Sequence, residues 1–208
     1  METKILSIDD PAALVVAMDI LTGGGLVAFP TDTVYGLGAL VFDERAVSKL
    51  YDVKERALEK AIPVLIGDSS QLARVAAGVN ATCEKLAGRF WPGPLTIIAP
   101  ASESVPLRVT GNTGRLAMRQ SKSKVAHALI AKLNQPLIAT SANISGQPTC
   151  TRGIEVFGTM DGRVDLILDA GPMVGHGATT VDITEPFWRI IREGAVAERD
   201  IADVLRGT

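Results

Sequence analysis

The chain has 208 residues, with 21 Lys+Arg against 23 Asp+Glu and a net charge of −2 at pH 7; hydrophobic residues make up 47%, charged residues 21% and aromatics 4%. That length suffices for one domain with a full core, which needs no disulfides or structural metal to fold, and the composition excludes a disordered chain. Near-neutral charge and scarce aromatics exclude the simplest nucleic-acid binders, a strongly basic domain or an aromatic stacking platform, and leave only a local basic patch open. Cys83 and Cys150 form no CxxC pair and read as reduced, buried thiols. Met1 to Pro11 lacks the basic-then-apolar order of a signal peptide, and Asp19, Thr22 and three glycines interrupt the apolar run Ala12 to Phe29. Both features predict a cytoplasmic protein.

Ile5 to Ile8 reads as a first strand. Asp9-Asp10-Pro11 then supplies an acidic helix start with Pro at the first helical position, and the helix runs to Thr22 before three glycines. Gly25 to Phe29 is an apolar strand ended by Pro30. Asp43 to Lys54 is a helix with Ala46, Val47, Leu50 and Tyr51 on one face. A strand is predicted at Ile62 to Ile66, helices at Ser69 to Ala77 and Ala81 to Arg89, and strands at Pro94 to Ala99 and Arg115 to Arg119. Ser123 to Asn134 reads as a helix whose core face holds Val125, Ala128, Leu129 and Leu133. Strands at Leu137 to Thr140, Leu166 to Leu168, Ala178 to Ile183 and Trp188 to Ile191 follow, with a closing helix at Glu198 to Leu205. The alternation predicts an α/β fold with a mixed, largely covered sheet. No linker, repeat or low-complexity tract divides it, so residues 1–208 read as a single domain.

Three polar clusters stand out, two of them just after apolar strands, where α/β folds place ligands. Pro30-Thr-Asp-Thr-Val-Tyr-Gly-Leu-Gly38 reads as a polar turn; its Gly36-x-Gly38 is neither a Rossmann fingerprint nor a Walker A loop. Lys54-Glu-Arg56, with Lys60 beyond, lies at a helix C-terminus, where cations usually only answer the dipole. In non-helical backbone the pair can also project together onto phosphate or carboxylate. Thr140-Ser-Ala-Asn-Ile-Ser-Gly146 offers a hydroxyl and an amide at i, i+2, or simply a turn. His127 sits within a helix, and His176 in the turn Gly175-His-Gly177; neither has the partners of a zinc site. There is no Gly-x-Ser-x-Gly elbow.

Taken in order, Pro30 to Gly38, Lys54-x-Arg56, Trp91-Pro-Gly-Pro-Leu-Thr96, Ala117-Met-Arg119, Ser141-Ala-Asn143-Ile-Ser-Gly146, Thr179-Thr-Val-Asp182 and Arg192-Glu-Gly194 resemble the YrdC/Sua5 family, the L-threonylcarbamoyladenylate synthases. The resemblance runs from about Leu21 to Gly194. It implies a YrdC-like twisted mixed sheet with helices packed on it and an open concave active-site cavity, in the short single-domain form. It implies a nucleotidyltransferase that converts L-threonine, bicarbonate and ATP into threonylcarbamoyl-AMP, pyrophosphate and water, for N6-threonylcarbamoyladenosine at tRNA position 37. Mg²⁺ would arrive with ATP and need no dedicated protein cage. The t6A transferase machinery would take the product. Weak contact with tRNA or double-stranded RNA is a further implied partner, and a membrane is not.

Residue by residue, the resemblance assigns Thr33, Arg119 and Thr179 to L-threonine, with Arg119 on its carboxylate. It assigns Arg56, Lys60, Ser141, Asn143, Thr149 and Arg192 to ATP, and Lys54, Arg56, Ser141 and Asn143 to the catalytic set. The chemistry agrees: three anionic substrates must be brought together, which a preorganised set of cations offsets. Three positions depart from the family pattern. Ala57 stands where a proline follows Lys-x-Arg, Gln120-Ser-Lys-Ser-Lys124 replaces a Pro-Asp-His-Pro-like stretch, and Ala178 stands where a serine is expected near threonine. Two other readings remain: a YrdC-like RNA-binding module without adenylate-forming activity, and a carbamoyladenylate-forming domain.

Overall fold

The structure is a computed structural model that describes residues 2–174 and 177–207. Its strands are β1 (Lys4–Ser7), β2 (Val27–Pro30), β3 (Tyr35–Leu40), β4 (Val64–Leu65), β5 (Leu95–Pro100), β6 (Arg115–Arg119), β7 (Leu137–Ser141), β8 (Leu166–Asp169), β9 (Thr179–Asp182) and β10 (Arg189–Arg192). Its α-helices are α1 (Ala13–Thr22), α2 (Glu44–Val53), α3 (Leu72–Val75), α4 (Ala81–Phe90), α5 (Lys124–Leu133), α6 (Gly153–Met160) and α7 (Glu198–Arg206). Among the described residues the strands form one mixed sheet in the order β1-β8-β2-β3-β7-β4-β6-β5-β9-β10. His176 lies outside the described residues.

Two apolar layers flank this sheet. On one face, buried side chains of α2, α3, α4, α6 and α7 pack on strands along its length. On the other, α1 and α5 meet only the β1-to-β4 half, through Ala13, Ala17, Leu21, Ala126, Leu129 and Ile130 against Val27, Phe29, Leu65, Leu137 and Leu168. On that second face β6, β5, β9 and β10 have no helix in the apolar cluster.

Several elements differ from the sequence expectation. Tyr35 to Gly38, the end of the stretch read as a turn, lies in the fully buried strand β3, paired on both sides with β2 and β7. Its glycines serve packing: a Cβ on Gly38 would lie 2.6 Å from the Phe29 ring and 3.0 Å from the Ile138 carbonyl. Helix α1 starts at Ala13 rather than Pro11, because the Asp10 carboxylate accepts the Ala12 amide in the preceding turn. Ser69 to Ala77 is a 3₁₀ turn leading into the short α3. Helix α6 was not anticipated. Helix α2 buries Ala46, Val47, Leu50 and Tyr51 as predicted, capped by Asp43. The buried positions of α5 are Ala126, Leu129 and Ile130 rather than Val125, Ala128 and Leu133. Ser123 fixes that rotation, accepting from the Ala126 amide and donating to the Pro30 carbonyl at 2.6 Å.

Gly38→Ala forces a methyl into the Phe29 ring, and is expected to cost about 1–3 kcal/mol, as overpacking does. Chemical denaturation measures it; an unchanged midpoint contradicts the packing account.

Candidate active site

Lys54, at the end of α2, is 1% exposed. Its ammonium donates to the carbonyl of Ser141 at 2.6 Å and to that of Asn143, at the end of β7. In return the Lys54 carbonyl accepts the Ser145 amide at 2.9 Å. The Lys-x-Arg and Ser-x-Asn segments, 87 to 89 residues apart along the chain, are thus one hydrogen-bonded unit. Burial, and secondarily the charge of Arg56, lowers the Lys54 pKa from 10.5 to about 8.

Glu55 turns the chain at φ 51°. The half-buried Arg56 guanidinium then folds back, donating from Nε to the Lys60 carbonyl at 3.0 Å and from Nη2 to the Ala61 carbonyl at 2.7 Å. Burial holds its pKa below the usual arginine value. Lys60 itself is exposed and contributes its backbone here. Asn143 is buried, with Nδ2 donating to the carbonyls of Ile144 and Gln147; Asn143 Oδ1 and Ser145 Oγ are buried without a partner. Thr149 is exposed in the loop between β7 and α6.

A second group gathers on the half-covered face. Register places Thr180 of β9 beside Thr96 of β5 on one side and Arg192 of β10 on the other. The pairing of Ile97 with Met118 sets Arg119 of β6 next in that row, and Leu65 on its far side faces the α5 layer. Thr96, Thr180 and Arg119 are all under 9% exposed, although no apolar helix covers them. Arg192 donates twice to the Ala178 carbonyl, at 3.2 and 3.0 Å. Burial lowers the Arg119 pKa, Asp32 opposes that, and the charge of Arg192 adds to it.

The loop between β2 and β3 closes over the row. Asp32 Oδ1 lies 3.3 Å from Arg119 Nη2 and accepts the Ser121 hydroxyl. Thr33 is buried with its hydroxyl 2.9 Å from that of Thr31. Tyr35 is structural: its hydroxyl accepts the Ala170 amide, lies 2.8 Å from the Gly171 carbonyl, and is pushed up to about 12 chiefly by burial.

Arg119 and Arg192 therefore belong to one face, with Thr33 in the loop that Asp32 ties to Arg119, and Lys54, Ser141 and Asn143 belong to one knot. Thr179 stands apart from that face. Strand alternation turns it to the side of the buried Val181, and its hydroxyl both donates to the Val196 carbonyl and accepts the Val196 amide. Its neighbour Thr180 is the threonine on the Arg119 face. The sequence gives no role to Asp32, Ser121 or Thr96, because the burial of Arg119 that calls for an anion is set by the fold. Cys83 and Cys150 are free and buried, and burial raises both thiol pKa values. Among the described residues no three His, Cys, Asp or Glu side chains converge on a metal position, and no helix is long and apolar enough to cross a membrane.

This combination, a mixed sheet with one half-covered face bearing arginines and hydroxyls, has known counterparts. The Sua5/YciO/YrdC family model, described as "Telomere recombination", matches residues 19–194, and the chain belongs to that family. Threonylcarbamoyl-AMP synthase of Pyrococcus abyssi is 38% identical over 191 residues, covering 91% of this chain and 56% of the relative. The Bacillus subtilis protein of the same name is 36% identical over 205 residues, covering 98% and 59%. The structure of P. abyssi Sua5 complexed with L-threonine superimposes with a TM-score of 0.91 at 35% identity, over 99% of this chain and 60% of that one. The chain thus spans less than two thirds of these relatives.

Lys54→Met removes the donor from two buried carbonyls, each worth about 1–3 kcal/mol when left unpaired, and lowers the melting temperature. A lysine pKa depressed on folding also gives a sign. Between about pH 8 and 10.5 the unfolded chain binds the extra proton, so stability rises with pH across that window. Lys54→Met is expected to lose that rise; a variant with the same pH slope contradicts the buried ammonium.

Proposed function

We propose that the protein is a threonylcarbamoyl-AMP synthase, acting in the cytoplasm on L-threonine, bicarbonate and ATP with Mg²⁺ carried on the triphosphate. The observation that carries the reading is Arg119. It is a buried guanidinium in a row of hydroxyls, with one nitrogen against Asp32 and another left unpaired. Such a group suits a small carboxylate, and the relative solved with L-threonine supports threonine as its source.

The reaction needs the threonine ammonium first to release a proton, so that the free amine takes up the bicarbonate carbon with loss of water, giving a carbamate. A carbamate oxygen then attacks the α-phosphorus of ATP as the bond to pyrophosphate breaks. In this reading Arg119 fixes the amino acid by its carboxylate, and Thr33 lies against it. Ser141 and Asn143, kept in place by Lys54, orient the nucleotide. Arg56, Lys60 and Arg192 answer the charge on the phosphates, with Thr149 at the nucleotide margin. Most of the rate comes from holding anions together in line. The t6A transferase machinery is the proposed recipient.

Pyrophosphate release is expected to require ATP, bicarbonate and L-threonine together, and to stop when EDTA removes Mg²⁺. Arg119→Ala is expected to raise the KM for threonine about tenfold or more, as loss of a charged hydrogen bond does, with the KM for ATP little changed. Ala178 offers no side-chain hydroxyl, so serine is expected to compete within the about 10–200-fold range of a methyl pocket. Equal use of glycine or alanine contradicts the assignment.

A further inference from the structure

We propose that Asp32 receives the α-ammonium group of the amino-acid substrate while Arg119 takes its carboxylate; this rests on the reading of the site as an amino-acid site. Asp32 and Arg119 form a buried pair that is only half made. Asp32 Oδ1 is engaged by Arg119 Nη2 at 3.3 Å and by the Ser121 hydroxyl. Asp32 Oδ2 and Arg119 Nη1 are both buried, and neither has a partner. A parallel two-bond fork is the usual arrangement of such a pair, and leaving either atom unmatched is costly. One charged acceptor and one charged donor are therefore held in reserve within the same ion pair.

Thr33 adds to the acceptors. The Thr31 hydroxyl has a single proton, and its 2.7 Å contact with the Val34 carbonyl uses it. The Thr33 hydroxyl lies 2.9 Å from that of Thr31, and its oxygen keeps a lone pair to offer a ligand. An unpaired acceptor on Asp32 and an unpaired donor on Arg119, within one ion pair, complement a zwitterion rather than a simple acid. Arg192 is the other charge acting on Arg119, so with Asp32 counted the face keeps a net positive charge for the anionic co-substrates. Ser121 fixes Asp32, and it lies in the Gln120 to Lys124 segment where this chain departs from the family pattern.

The test is calorimetric binding of L-threonine and of (2S,3R)-2,3-dihydroxybutyrate, which keeps the carboxylate and has a hydroxyl for the ammonium. The wild-type protein, Asp32→Asn and Ser121→Ala are compared, with thermal unfolding as the folding control. Asp32→Asn is expected to weaken threonine about ten- to a hundredfold, the loss of one hydrogen bond between charged groups, and to leave the hydroxy acid within about threefold. Ser121→Ala is expected to shift in the same ligand-selective direction by about three- to tenfold, and carries the test if Asp32→Asn does not fold. Equal losses for both ligands overturn the inference, because Asp32 then acts only by holding Arg119. Unchanged threonine binding overturns it as well. Wild type that binds no threonine overturns the functional reading along with it.

Discussion

A single buried ammonium organises the site. Lys54 gives up water for two backbone carbonyls at the end of β7, and no carboxylate pairs with it among the described residues. An uncompensated buried charge is expensive, which explains the downward pull on its pKa. It also explains the choice of residue: a shorter side chain cannot reach, and an apolar one leaves two carbonyls unmatched. Because the Ser145 amide returns a bond to Lys54, helix end and strand end are fixed to each other from both sides. Asn143, Ser145 and the turn to Arg56 then inherit their positions from that knot.

The second constraint is uneven coverage of the sheet. Helices α1 and α5 cover half of one face and stop. Beyond them the row from Arg119 through Thr96 and Thr180 to Arg192 replaces the apolar side chains that a helix would demand. Two arginines in one row repel, and Asp32 offsets only part of that. The face is accordingly built for anions. The Asp32 loop is held down from the α5 side, by Ser121 on Asp32 and Ser123 on Pro30, so the helix that ends the covered half also shapes the open half.

Much of this was legible in the sequence for physical reasons. Helix α2 shows its face because four apolar residues recur at helical spacing beside a clear Asp43 cap. The α/β class follows from alternating apolar strands and amphipathic segments. Strand β3 was hidden because its glycines and preceding threonines look like turn chemistry, whereas Gly38 is there to admit the Phe29 ring. The phase of α5 depends on Ser123 reaching Pro30, a contact 93 residues away along the chain. Thr179 and Thr180 are indistinguishable until the strand phase is known, and one residue decides which faces Arg119. Asp32 has no legible role in the sequence, since its partner is an arginine that only the fold brings near.

Carboxylation of the threonine nitrogen by bicarbonate and adenylation of the product are proposed to occur in one protein. Supplying ¹³C-bicarbonate with ATP, Mg²⁺ and L-threonine, and following the nucleotide product by mass and carbon NMR, tests this directly. The expected result is an AMP conjugate that carries threonine and one labelled carbamate carbon, formed in step with pyrophosphate. Pyrophosphate release with an unlabelled threonyl-AMP, or with AMP alone, contradicts the account.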